Sequence, residues 1–171
     1  MMVLFLLAAV STGSSDAAIQ PQLTSGKMLC SNPDEASKTC SSIASYAAGK
    51  DGTFTETSEL LLPAPQPLTL ELSASVEVKG SVICGTMTET DLQQGRVRIN
   101  GSLLPPDQNA AAMSKLSERL KPMVGREVCE ELRFEDGRLM KFGQAERVDI
   151  KLPGKHVRWI SKDEGYKVGS R

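Results

Sequence analysis

Leu68-Thr69-Leu70-Glu71-Leu72-Ser73-Ala74-Ser75-Val76-Glu77-Val78-Lys79 is the stretch on which the fold turns. Leu68, Leu70, Leu72, Ala74, Val76 and Val78 alternate strictly with polar or charged neighbours. Successive strand residues point to opposite faces, so a period of two marks a half-buried β-strand with a bend at Ser73–Ser75. Gly80 then permits a bulge or turn before a second strand over 81–88. On the other side, Pro63, Pro65 and Pro67 alternate through Leu62–Pro67. Prolines at that density favour an extended connector and exclude a central strand. Upstream of it, Asp51-Gly52 marks a turn and Thr53–Thr57 a short strand.

Working further outward, Asn32-Pro33-Asp34-Glu35 reads as a helix start, with Asn32 as cap, Pro33 in the first turn and acids at the positive dipole end. The reading carries a helix from Ala36 to Ala48, stopped by Gly49, with Ile43, Ala44, Tyr46 and Ala47 on its buried side. Downstream, Arg96–Ile99 alternates again and Asn100-Gly101 turns tightly. Pro105-Pro106-Asp107 opens a second helix in which Met113, Leu116, Leu120 and Met123 recur at helical spacing, as core residues. It should stop near Pro122 or Gly125. The stretches 127–134 and 138–142 flank Glu135-Asp136-Gly137, a hairpin signal. Arg147–Leu152 and His156–Ile160 complete the strands. These elements predict an α+β fold: a mainly antiparallel sheet of about six to seven strands with two helices packed on one side, stapled by disulfides.

Residues 3–10 form an unbroken apolar run followed by small residues, the pattern of a secretory signal peptide. Ser15 and Ala17 supply small side chains at the −3 and −1 positions, which places the cut between Ala17 and Ala18. The departure is that Met1-Met2 carries no basic residue. The run is too short to span a membrane. The expected organisation is therefore a signal peptide over 1–17 and a single globular domain over 18–171, in the periplasm or outside the cell.

Four cysteines, Cys30, Cys40, Cys84 and Cys129, all lie beyond that cut. An even number in an exported chain implies disulfides; Cys30–Cys40 as a local staple and Cys84–Cys129 as a long-range one are the favoured pairs. The wide spacing and the absence of a Cys-x-x-Cys argue against a zinc site and against a redox pair.

With 20 Lys and Arg against 21 Asp and Glu, the chain lacks the basic excess that nucleic-acid binding shows. The charge is uneven, however: residues 138–171 hold nine bases and four acids, with Trp159 and Tyr166 among them. Trp159, Arg158, His156 and Tyr166 are accordingly the candidate ligand-binding residues, facing an envelope protein, a glycan or an anionic surface. Against this stands local pairing of the basic second half with the acidic first half.

The motifs of nucleophile elbows, zinc proteases, phosphate loops and dinucleotide turns are absent from the sequence. His156 is the sole histidine, so neither a triad nor a histidine metal site is expected, and no cofactor is expected. Glu130 alone among the acids shares the parity of apolar Val128, Leu132 and Phe134. Such a glutamate is either a raised-pKa acid or an ion-paired residue, with Lys141 or Arg138 across the hairpin as partner. The leading expectation is a non-enzymatic exported binding or envelope-associated module. A small carboxylate hydrolase using Glu130, and a protease inhibitor presenting Leu62–Pro67, are the alternatives.

Overall fold

The computed structural model describes residues 19–145 and 153–170. The predicted signal peptide and the strand expected at Arg147–Leu152 lie outside them. A short helix α1 (Ile19–Thr24) leads into β1 (Met28–Ser31), β2 (Thr39–Cys40), β3 (Ser42–Ala48), β4 (Phe54–Leu62), β5 (Leu68–Lys79) and β6 (Val82–Thr86). Then come α2 (Glu89–Gln93), β7 (Arg96–Ile99), β8 (Ser102–Leu103) and α3 (Pro106–Leu120). The chain finishes with β9 (Glu127–Glu135), β10 (Arg138–Ala145), β11 (Lys155–Ile160) and β12 (Lys167–Val168).

The sheet closes on itself. Around the ring, β1 pairs with β3, β3 with β4, β4 with β5, β5 with β6, β6 with β9, β9 with β10, β10 with β11, and β11 returns to β1, all antiparallel. The product is an eight-stranded up-and-down barrel with β7 and β8 added as extra strands beside β5. This corrects the expected open sheet with two helices on one side. The only substantial helix among the described residues is α3, of 15 residues, whereas α1 and α2 have 6 and 5.

The helix expected over Ala36–Ala48 is not formed. Asn32 is left-handed at φ 48° instead of capping a helix, and Ser42–Ala48 is a strand paired with β4 along its whole length and with β1 over Ser42–Ala44. An isolated helix of that length is marginal in water, while the ladder to β4, joined by β1 at Ser42–Ala44, satisfies backbone groups along the strand. Small Ala44 and large Tyr46 share the inward parity, a period of two that the alanine-rich composition hides.

Elsewhere the alternation holds. The segment Leu68–Lys79 is one unbroken strand, and the second helix starts at Pro106 as read, with Met113 buried. The hairpin turns Asn100-Gly101 (φ 50° and 79°) and Asp136-Gly137 (φ 49° and 74°) both place two residues in the left-handed region, the geometry that matches strand twist and favours glycine second. Parity also explains the long-range disulfide. Cys84 and Cys129 stand opposite each other in the β6–β9 ladder, on the outward side, while their neighbours Ile83, Gly85, Val128 and Glu130 point in.

Inside the barrel, Leu29, Ala44, Phe54, Val76, Ile83, Leu132, Leu139 and Val157 form one cluster, and Ile19 and Leu23 of α1 pack among them. A second cluster of Leu70, Leu92, Val97 and Met113 joins the α2–α3 insertion to the long end of β5. The cavity described next lies between the two.

Candidate functional site

β5 is longer than either neighbour on its second edge. Val76–Lys79 pairs with β6 and Leu68–Glu71 with β7, so Leu72–Ser75 has no ladder partner on that side. The inward positions beside this gap are small: Ser58 on β4, Ala74 on β5 and Gly85 on β6. Small side chains at the middle of an eight-stranded barrel leave room that larger ones fill. The result is a cavity of about 300 Å³, at the lower end of the range for small-molecule sites. Its walls are Leu60, Leu72, Val76, Ile83 and Val128, and Met87, Leu120 and Met123 reach over it from the segment inserted between β6 and β9. Gly85 has a steric role here as well, since a Cβ on it would stand 2.8 Å from Val76 Cγ1 and 3.0 Å from the Ser75 carbonyl.

One side of the cavity is polar. Glu56 and Glu130 line it. Across the β9–β10 hairpin the Lys141 ammonium lies 2.8 Å from each oxygen of Glu130, so Glu130 is ion-paired. Glu56 accepts a 2.5 Å hydrogen bond from the Ser58 hydroxyl. Burial, then the negative charge of Glu130, pushes the Glu56 carboxyl above the ordinary carboxylate range; Ser58, Lys141 and Tyr46 pull the other way. Tyr46 is the ladder partner of Glu56. Its hydroxyl is buried within electrostatic reach of Glu56 and Glu130, yet meets no hydrogen-bond partner at proper geometry among the described residues. Burial and those two carboxylates raise its pKa well above that of a free phenol.

Trp159 also points inward, its ring 6.3 Å from that of Tyr46 at 57°. The other sequence-predicted ligand residues lie elsewhere. Arg158 and His156 are on the outward side of β11, where Arg158 bridges Glu35 at 2.9 Å and Glu164 at 3.0 Å and reaches the Tyr166 hydroxyl at 3.3 Å. Tyr166 is buried there, with Lys38 4.7 Å above its ring. The four residues are thus split between the two faces of one strand and its flank. Arg96 and Arg98 of β7 likewise pair with Glu71 and Glu59, so basic residues from the second half of the chain meet acids from the first. Leu62–Pro67 forms the exposed β4–β5 connection, tied down where the Asn100 amide donates to the Pro67 carbonyl at 2.9 Å.

Both disulfides are formed, Cys30 with Cys40 and Cys84 with Cys129. Glu127 approaches the latter pair, but thiolates committed to a disulfide cannot bind a metal, so this grouping is not a metal centre.

Glu56, Ser58 and Tyr46 escaped the sequence reading. Phe54, Leu60 and Leu62 share the parity of Glu56 and Ser58, which marks the latter two as polar residues on an apolar face; ending that strand at Thr57 concealed the pattern. Tyr46 was hidden by the helix assignment.

The fold and site together define a closed antiparallel barrel with a small internal cavity that is apolar on most sides and carboxylate-bearing on one. No protein-family model, curated protein or solved structure matches the chain. Two disulfides fit an oxidising compartment, and no helix of the described residues is long and apolar enough to cross a membrane.

Proposed function

We propose that this chain is a non-enzymatic binding protein of the periplasm or extracellular space, exported by a signal peptide cut after Ala17, that holds one small and largely apolar molecule inside its barrel. The observation that carries the reading is the cavity of about 300 Å³. Eight strands give a barrel interior that side chains just fill or that encloses one small ligand, and here the inward residues beside the gap are too small to fill it. At the lower end of the small-molecule range, the space suits a ligand smaller than a drug-sized one. The unpartnered stretch of β5 beside Met87, Leu120 and Met123 supplies an entrance. An envelope component of suitable size would be the natural cargo.

Calorimetric titration of the full chain with 1-octanol tests this. One site per chain is expected, and binding should drop at least tenfold in Ala74→Phe, which fills the cavity from β5. Met123→Trp, at the entrance, serves as a second blocking variant should the first misfold. Absence of binding to the parent protein, or undiminished binding in both folded variants, overturns the reading.

A further inference from the structure

The polar side of the cavity is rich in acceptors and poor in available donors. Lys141 is already engaged by both oxygens of Glu130. Glu56 receives the Ser58 hydroxyl, and the Tyr46 phenol lies behind it, close enough to lower the Glu56 pKa but outside the lining of the cavity. Glu130 and Lys141 offset each other, so the cluster is neutral while Glu56 keeps its proton and gains one uncompensated negative charge when Glu56 ionises. An anionic guest would meet two carboxylates and a lysine that is spoken for. An alcohol brings one donor and no charge. An ammonium brings three donors and the missing positive charge.

We propose that the ligand is a primary amine with a short apolar body, its ammonium group seated on the Glu56 carboxylate beside the Ser58 hydroxyl and its body against Leu60, Leu72, Val76 and Val128. This deepens, and rests on, the ligand-binding reading above. The titratable groups around the seat come from four strands: Tyr46 on β3, Glu56 on β4, Glu130 on β9 and Lys141 on β10. β5 and β6 present only uncharged side chains to the cavity, and on β11 the exposed Lys155 stands opposite Lys141 in the ladder, with Val157 and Trp159 beyond it.

The same geometry couples binding to a proton. In the empty site burial and Glu130 favour the neutral Glu56 acid. An arriving ammonium stabilises the ionised form, so the proton that Glu56 holds in the empty site passes to the buffer as the ion pair forms, up to one proton for each cation that enters.

The test is calorimetry of the full chain with octylamine, 1-octanol and octanoate, each at pH 6.5 in two buffers of different ionisation enthalpy. Octylamine should bind at least tenfold more tightly than 1-octanol, with octanoate weakest, and its heat should depend on the buffer in the sense of proton release. In Glu56→Gln the amine preference should shrink to under threefold and the buffer dependence should vanish, while 1-octanol binding stays. If 1-octanol or octanoate binds the parent chain as well as octylamine does, the amine assignment fails and the cavity reading stands. If none of the three binds, both fail.

Discussion

Glu56 is the residue at which folding and binding pull in opposite directions. Its carboxyl sits on an inward position that neighbouring Phe54 and Leu60 fill with apolar side chains, and the fold holds its pKa above the usual range through burial and the Glu130 charge. Between the unfolded and folded pKa values the native chain keeps a proton that the unfolded chain has lost, so stability falls as pH rises through that window. Glu56→Gln still accepts the Ser58 hydroxyl and carries no charge. The variant should therefore melt at a higher temperature than the parent at pH 7 to 8, with the gap closing below about pH 4, as the parent carboxyl becomes protonated in both states. Thermal melts across that range check it; a gap that does not change with pH would show that the charge is not the destabilising feature.

At the scale of elements, the segment between β6 and β9 decides what the cavity becomes. α2 is fastened by a capping box in which Thr88 and Asp91 satisfy each other's backbone amides. α3 is stitched to β7 by a single side chain: Asn109 Oδ1 accepts from the Val97 amide at 2.8 Å, and its Nδ2 donates to the Gly95 carbonyl at 3.0 Å. Val97 is fully buried, so truncating Asn109 strands a donor that water does not reach. Asn109→Ala should cost about 2–3 kcal/mol in urea denaturation. Asn109→Asp, which preserves the acceptor for Val97, should cost less. Because Leu120 ends that helix and Met123 follows in the turn after it, both reaching over the cavity, the alanine variant should also bind 1-octanol more weakly. Equal costs for the two variants would place the weight on the Gly95 bond.

The whole molecule is held by closure and by two crosslinks. β11 meeting β1, with Leu29 opposite Trp159, removes the free edges from the ring. Cys84–Cys129 spans 45 residues and encloses the entire inserted segment, whereas Cys30–Cys40 spans 10. On the loop-entropy account the first bond contributes about 4 kcal/mol and the second about 3. Replacing Cys84 and Cys129 together by serine should thus lower the urea midpoint more than replacing Cys30 and Cys40. A reversed order would mean that local packing around Cys30, in its cluster with Ile160 and Tyr166, outweighs loop length. The intact mass of the protein isolated from its native host, alkylated before and after reduction, tests whether the chain begins at Ala18, as the proposed signal peptide requires, and reports the state of all four thiols in one experiment.

The sequence by itself determined the elements in which chemistry and period agree: the alternating strand Leu68–Lys79, the hairpins at Asn100-Gly101 and Asp136-Gly137, the helix begun by Pro106, and the inward parity of Glu130. These are local properties, written in neighbours two or four positions apart. Only the tertiary structure decided that Ser42–Ala48 is a strand, because its hydrogen-bond partners lie on β1 and β4 and the composition alone reads as helix. Closure of the sheet is likewise a pairing between the two ends of the chain, which no local period encodes. The cavity follows from closure. Tyr46, Glu56, Glu130 and Lys141 come from four strands, and an alternation pattern tells which side of each strand is inward without telling which strands face one another.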